Sequence, residues 1–239
     1  MEVSPLRALT DFRGLTPMWS QQVAEEYPDT YFCVLNGTLE TDTVTSVLPD
    51  AKQIGYLAGA LAGLTTKTNY IGFIGGVELD TTKEKLDCYE AAAKVVNPDV
   101  QVASAYAGSF DDSAKGKEIA ASMVTTYDID VMFGDASAVD TGAREALAGY
   151  EEKYDIGQPG DLGSADDKVI MCSVVTDNAA LVKACMEDVE NGTYGNKTIE
   201  GNMANGCLNV GTFSSIVPED VQAEYLKIAD QIKEGTFIK

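Results

Sequence analysis

Two pairs of adjacent aspartates, Asp111-Asp112 and Asp166-Asp167, are the residues most suited by type and spacing to do chemistry. Neighbouring carboxylates can hold a metal ion or divide acid and base roles between them. The chain carries 38 Asp and Glu against 17 Lys and Arg, a formal net charge of −21. In so acidic a sequence, paired acids are expected mainly as solvated surface. No histidine occurs anywhere in the chain. That removes Ser-His-Asp and Cys-His catalysis, histidine metal sites and imidazole acid–base chemistry. The five cysteines, Cys33, Cys88, Cys172, Cys185 and Cys207, form no CxxC pair, so neither a zinc ribbon nor a thioredoxin-type redox site is supported. Four of them lie in apolar or helical runs, where a free thiol is a small core residue. Cys88 has no base in view that would make it a nucleophile. The expectation is a protein without a metal, a cofactor or catalytic residues.

The glycine-rich turns do not read as phosphate loops. Seven residues separate Gly108 from Gly116-Lys117, where a Walker A loop has four, and Asp111 and Asp112 would repel phosphate. Gly72, Gly75 and Gly76 do not make the GxGxxG spacing. The strong negative charge also argues against nucleic acid as a partner and against attraction to anionic membrane surfaces. No stretch reaches the ~18 apolar residues of a membrane span. The opening MEVSPLRALTDFRG has no basic segment followed by an apolar one, so no export signal is read in it.

What remains is an aromatic residue in an unusual place. In YAGSFDDSAKGKEIA (106–120), Phe110 sits among glycine, serine and aspartates, between a strand and a helix. Asp111 or Ser109 is suited to cap that helix by accepting its free N–H groups. Phe110 has two readings. One is a hydrophobic staple against Ala114 or Lys115 in the first turn. The other is a flat ring lining a cleft, ready to stack on a planar or sugar-like ligand.

The elements that must position this loop follow from hydrophobic periodicity. Strands are expected at 31–37, 69–76, 100–108, 129–135, 168–176 and, short, at 207–213. Helices are expected at 16–29, 51–68, 81–98, 111–128, 140–154, 178–192 and 217–235. Continuous apolar strands alternating with helices mean parallel sheets covered on both faces. Ligands of open α/β sheets bind at the carboxyl ends of the strands. Here those ends carry Asn36-Gly37, Gly75-Gly76, Gly108 to Asp112, and Gly134 to Ser137.

Several runs together resemble the BMP family of basic membrane lipoproteins, which includes the PnrA-like purine nucleoside receptors. They are EEYPDTYFCVLNG, IGYLAGALAGLTTKTNYIGFIGG, VNPDVQVASAYAGSFDDSAKGKEIA, YDIDVMFG, SVVTDNAALV and VPEDVQAEYLKIADQIKEGTFIK, in the family's order, covering about residues 20 to 239. The resemblance implies an α/β, type I periplasmic-binding-protein fold of two Rossmann-like lobes with parallel sheets. It assigns 1–68 and about 177–213 to the N-terminal lobe, 69–176 to the C-terminal lobe and 214–239 to a terminal helix. It implies a small ligand held by hinge closure, ABC permease subunits as partners, and an extracytoplasmic place anchored by an N-terminal lipid. In nucleoside-binding relatives the phenylalanine of GSFDD faces the base, which would make Phe110 the stacking residue. Asp111, Asn36, Ser137 and Asp161 are then the expected polar contacts.

The sequence also departs from the family pattern. The first strand–helix units, with the signal peptide and lipid-bearing cysteine, have no counterpart here. The first lobe is therefore expected to be incomplete, and the chain to be a fragment or a mis-started product that is less stable than a full-length relative. Asn36 stands where relatives often have Asp, Pro159 where a ribose-holding Asp is common, and Thr176 where a Lys is common. A purine nucleoside is thus a hypothesis for the ligand, and a cytoplasmic small-molecule sensor of the same fold is the alternative function.

Overall fold

A computed structural model of the chain describes residues 6–10 and 16–238; part of the opening stretch read for an export signal lies outside them. The elements run β1 (Leu6–Thr10), α1 (Thr16–Glu26), β2 (Tyr31–Leu35), β3 (Val44–Pro49), α2 (Ala51–Thr65), β4 (Tyr70–Gly75) and α3 (Asp80–Val96). They continue with β5 (Gln101–Tyr106), α4 (Ser113–Tyr127), β6 (Val131–Asp135), α5 (Ala138–Leu147) and β7 (Tyr154–Gly157). The chain ends with β8 (Ile170–Thr176), α6 (Asn178–Asn191), β9 (Lys197–Gly201), β10 (Leu208–Val210) and α7 (Glu219–Lys233). The chain forms two units.

The first unit takes in the described residues through Asp50 together with Thr176–Leu208. Its four strands lie in the order β1-β2-β3-β9, all paired parallel. β2 and β3 are buried runs of apolar and small residues, as both-face coverage of a parallel sheet requires. Leu181 and Cys185 of α6 pack with Cys33, Leu35, Val47 and Cys207, while Ala24 of α1 joins Phe32, Val34 and Val44. Cys33, Cys185 and Cys207 are thus core residues, as their apolar surroundings in the sequence suggested.

The second unit takes in Ala51–Val175 and the residues from Asn209 onward. Its sheet has the order β10-β8-β7-β6-β4-β5, with β5, β4, β6, β7 and β8 paired parallel. Phe73, Tyr89 and Phe133 form its aromatic centre, with ring centroids 5.9–6.0 Å apart. The buried Tyr89 hydroxyl donates to the Gly72 carbonyl at 3.2 Å. α2 belongs to this unit, whereas the sequence reading placed it in the N-terminal lobe. The reason is close contact with α3. A Cβ on Gly55, Gly59 or Gly63 would come within 2.5, 2.0 and 2.7 Å of the carbonyl oxygens of Lys85, Tyr89 and Ala93. Glycine every fourth residue lets the two backbones touch, and that contact outweighs proximity in sequence.

Four strands escaped the periodicity. β1, β3 and β9 were not expected, and the stretch read as one helix over 140–154 ends at Leu147 and gives way to β7. β7 is only four residues long, and β9 is mostly half-buried. Neither has the continuous apolar run that marks a central strand.

Candidate functional site

The carboxyl ends of β4, β5 and β6 are tied together by backbone hydrogen bonds. Ala107 N–H donates to the Gly75 carbonyl and Gly108 N–H to the Gly76 carbonyl, both at 2.8 Å. Gly76 N–H donates to the Asp135 carbonyl at 3.0 Å, and Ala138 N–H to the Phe110 carbonyl at 2.9 Å. The Phe110 loop is therefore held between the end of β4 and the start of α5. Gly108, at φ +72°, makes the turn that a side chain would strain. The half-buried Phe110 ring lies on Gly76, where a Cβ would sit 2.4 Å from two ring carbons. The missing side chain of Gly76 leaves the space that the ring occupies.

The cap of α4 is Asp112, whose carboxylate accepts from Lys115 N–H at 2.9 Å. Sequence reading gave that role to Asp111 or Ser109. The helix begins two residues later than expected, and Ser109 accepts from Asp111 N–H at 3.0 Å instead, while Asp111 is exposed. Gly116, which fails as part of a phosphate loop, serves packing. A Cβ there would lie 1.9 Å from the Val139 carbonyl oxygen, and one on Gly142 would lie 1.8 Å from that of Ser113. These contacts press α4 on α5 and fix the loops that lead into both.

Ser137 follows β6 with φ 57° and ψ −115°, a strained conformation for a residue with a side chain. It is exposed and occupies the cap position of α5 without capping it through its side chain. The turn is held from below by Asp140, whose Oδ2 accepts from Ala136 N–H at 2.9 Å. Asp140 Oδ1 is buried without a hydrogen-bond partner, packed where a Cβ on Gly134 would be 2.0 Å away. Burial pushes this carboxyl up to about 8. Nearby, Asp155 is paired with Arg144, Oδ2 to NH2 at 2.7 Å, and burial still raises it to about 6.

Asp161 is exposed, but both its oxygens are engaged. Oδ1 accepts from Thr212 N–H at 2.9 Å and Oδ2 from the Thr212 hydroxyl at 2.7 Å. It fastens the segment after β10 to the loop after β7. Asn36 belongs to the first unit, at the carboxyl end of β2, exposed, with φ 59° and its N–H donated to Val47 at 2.9 Å. Within the second unit, Phe110, Asp111 and Ser137 flank the joined ends of β5 and β6, and Asp161 follows β7.

Sequence reading missed the polar group at the end of β6. Asp135 accepts from Lys85 at 2.7 Å, from Thr82 at 2.8 Å and from Gln158 at 3.3 Å. Thr82 and Lys85 are spaced i and i+3 on α3, so they share a face. Only the fold carries that face to β6, and no local motif announces it. Among the described residues no cluster of three or more acidic or thiol groups is placed to hold a metal.

Parallel sheets whose carboxyl ends gather an aromatic ring, a strained turn and hydrogen-bonding side chains define a class of small-molecule-binding α/β proteins. Residues 18–238 match the Bmp family, described as ABC transporter substrate-binding protein PnrA-like, and the chain belongs to that family. It is 30% identical over 205 residues to the ABC transporter nucleoside-binding protein BmpA of Lactococcus lactis, covering 79% of this chain and 58% of that protein. It is 27% identical over 206 residues to the transcriptional activator protein Med of Bacillus subtilis, covering 86% of this chain and 63% of that protein. The chain therefore spans about three-fifths of the length of these two relatives. Among solved structures, an ABC transporter solute-binding protein of Aeropyrum pernix superposes with a TM-score of 0.74 at 20% identity, covering 97% of this chain and 65% of that one. The fold is the type I periplasmic-binding-protein fold.

Proposed function

We propose that this chain is the ligand-binding part of a solute receptor for an ABC importer, and that its ligand is a purine nucleoside. The observation that carries the reading is the Phe110 ring, laid on Gly76 at the carboxyl ends of the strands. That placement suits stacking on a planar base. The nucleoside-binding relative supports the ligand class. Asp111 and Ser137, exposed beside the ring, are the proposed polar contacts of the second unit. Asp161 acts through the Thr212 segment it holds and offers its remaining lone pairs. Asn36 is proposed on the same ground, as a strand-end residue of the first unit. The protein binds and releases its ligand unchanged, works outside the cytoplasm at the membrane, and hands its ligand to permease subunits.

Calorimetric titration with nucleosides, bases and sugars tests this. Wild type binds a nucleoside, and Phe110→Ala loses ~1–3 kcal/mol of the binding energy, the worth of one base–aromatic stack. Equal affinity of the two proteins refutes the stacking role. A second reading, the sensor core of a regulator, is favoured by the likeness to Med. It predicts the protein in the cytoplasmic fraction of cells, where the receptor reading predicts it at the membrane.

A further inference from the structure

Asp135 and Lys85 form an ion pair whose side chains are only 17% and 16% exposed. The carboxylate is met by three donors. Thr82 Oγ1 donates to Oδ2 at 2.8 Å, while Lys85 Nζ at 2.7 Å and Gln158 Nε2 at 3.3 Å donate to Oδ1. Gln158 Nε2 also donates to the Gly134 carbonyl. The pair belongs to the strand ends already described. Asp135 lies opposite Gly75 in the β4–β6 register, and the next residue, Gly76, carries the Phe110 ring.

The balance of donors and acceptors in this group is uneven. An ammonium has three N–H donors, and Asp135 is the one acceptor the structure gives Lys85 among the described residues. The carboxylate oxygens already serve three donors. With three of its roughly four lone-pair sites taken, the group offers a ligand chiefly N–H. A mostly buried ammonium gains most from a partner that accepts. Asp135 already neutralises the Lys85 charge, and the chain as a whole is strongly acidic. The fitting acceptor is an uncharged carbonyl oxygen rather than a phosphate.

We propose that Lys85, oriented by Asp135, is a specificity-determining residue that donates to a carbonyl oxygen of the bound ligand, so that 6-oxopurine nucleosides are preferred over 6-aminopurine nucleosides. The inference rests on the nucleoside reading above and names the feature of the base that is recognised. An amino group in place of the carbonyl oxygen sets donor against donor and leaves a buried N–H unmatched.

Calorimetric titration with inosine and adenosine, which differ at that position of the base, tests the inference. The proteins are wild type, Lys85→Arg, and Lys85→Met combined with Asp135→Asn. The asparagine keeps a partner for Thr82 and Gln158 and leaves no unpaired charge. Wild type is expected to favour inosine on the order of tenfold, and the double variant to fall to roughly equal affinities through loss of inosine binding. Lys85→Arg retains the preference. If the double variant is unfolded by circular dichroism, Lys85→Met alone carries the same comparison, with Asp135 still bonded by Thr82 and Gln158. An inosine preference that survives removal of Lys85, or a wild type that prefers adenosine, overturns the assignment and leaves the nucleoside reading standing. A wild type that binds neither nucleoside overturns both.

Discussion

Replacing Asp140 by asparagine should change how the stability of this protein depends on pH. The Asp140 carboxyl is pushed from 3.8 up to about 8, chiefly by burial. The folded state therefore holds a proton that the unfolded chain has released throughout that interval. Stability varies with pH as the difference in protons bound by unfolded and native states. Here the native state binds more, so stability is whole below the unfolded value, falls as pH rises, and reaches its full loss above about 8. Asp155, raised to about 6, adds a loss of the same sign in the lower part of the range. From about pH 5 to about pH 8, roughly three pH units at 1.36 kcal/mol each set a ceiling of ~4 kcal/mol on the Asp140 contribution. Relaxation of the β6–α5 turn and entry of water reduce it to ~1–3 kcal/mol. Asparagine keeps the oxygen that accepts from Ala136 N–H and cannot ionise. Urea unfolding of wild type and Asp140→Asn at several pH values should show the variant losing less stability toward high pH, by that amount. Parallel profiles for the two proteins would show that the carboxyl ionises freely in the fold and would refute the reasoning.

Two glycine substitutions probe the packing beneath the site. Gly59→Ala places a methyl group 2.0 Å from the Tyr89 carbonyl oxygen, so it should cost ~2–4 kcal/mol in chemical unfolding by overpacking. The control Gly149→Ala, whose nearest atom is 3.2 Å away, should stay within ~1 kcal/mol; equal effects would refute the account of the α2–α3 contact. The three atoms nearest a Cβ on Gly76 all belong to the Phe110 ring, the closest at 2.4 Å, and a ring can swing aside. For Gly76→Ala, stability should change by less than ~1 kcal/mol while nucleoside affinity drops about tenfold, and an unchanged affinity would mean that the position of the ring does not matter.

Continuous apolar runs were enough to place the central strands β2, β4, β6 and β8 and the helices between them, because a strand buried on both faces has no polar positions to disguise it. The family motifs in IGFIGG and GSFDD led to Phe110 for the same local reason, since the loop and its flanking strand and helix are contiguous in the chain. Short or half-buried strands such as β7 and β9 were illegible, because their pairing depends on neighbours far away in sequence. Two assignments depended on distances that the order of residues does not encode. Glycines at 55, 59 and 63 could be counted in advance, but only contact with the α3 backbone explains them and draws α2 into the second unit. Lys85 and Thr82 were an unremarkable charge and hydroxyl on a helix until the sheet brought Asp135 and Gln158 to them. Local periodicity thus determined the central strands, the helices between them and the loop that holds the aromatic ring. The partners of that ring, the buried carboxyl of Asp140 and the ion pair at the end of β6 were decided by tertiary structure, because desolvation and hydrogen-bond geometry arise only when distant segments pack.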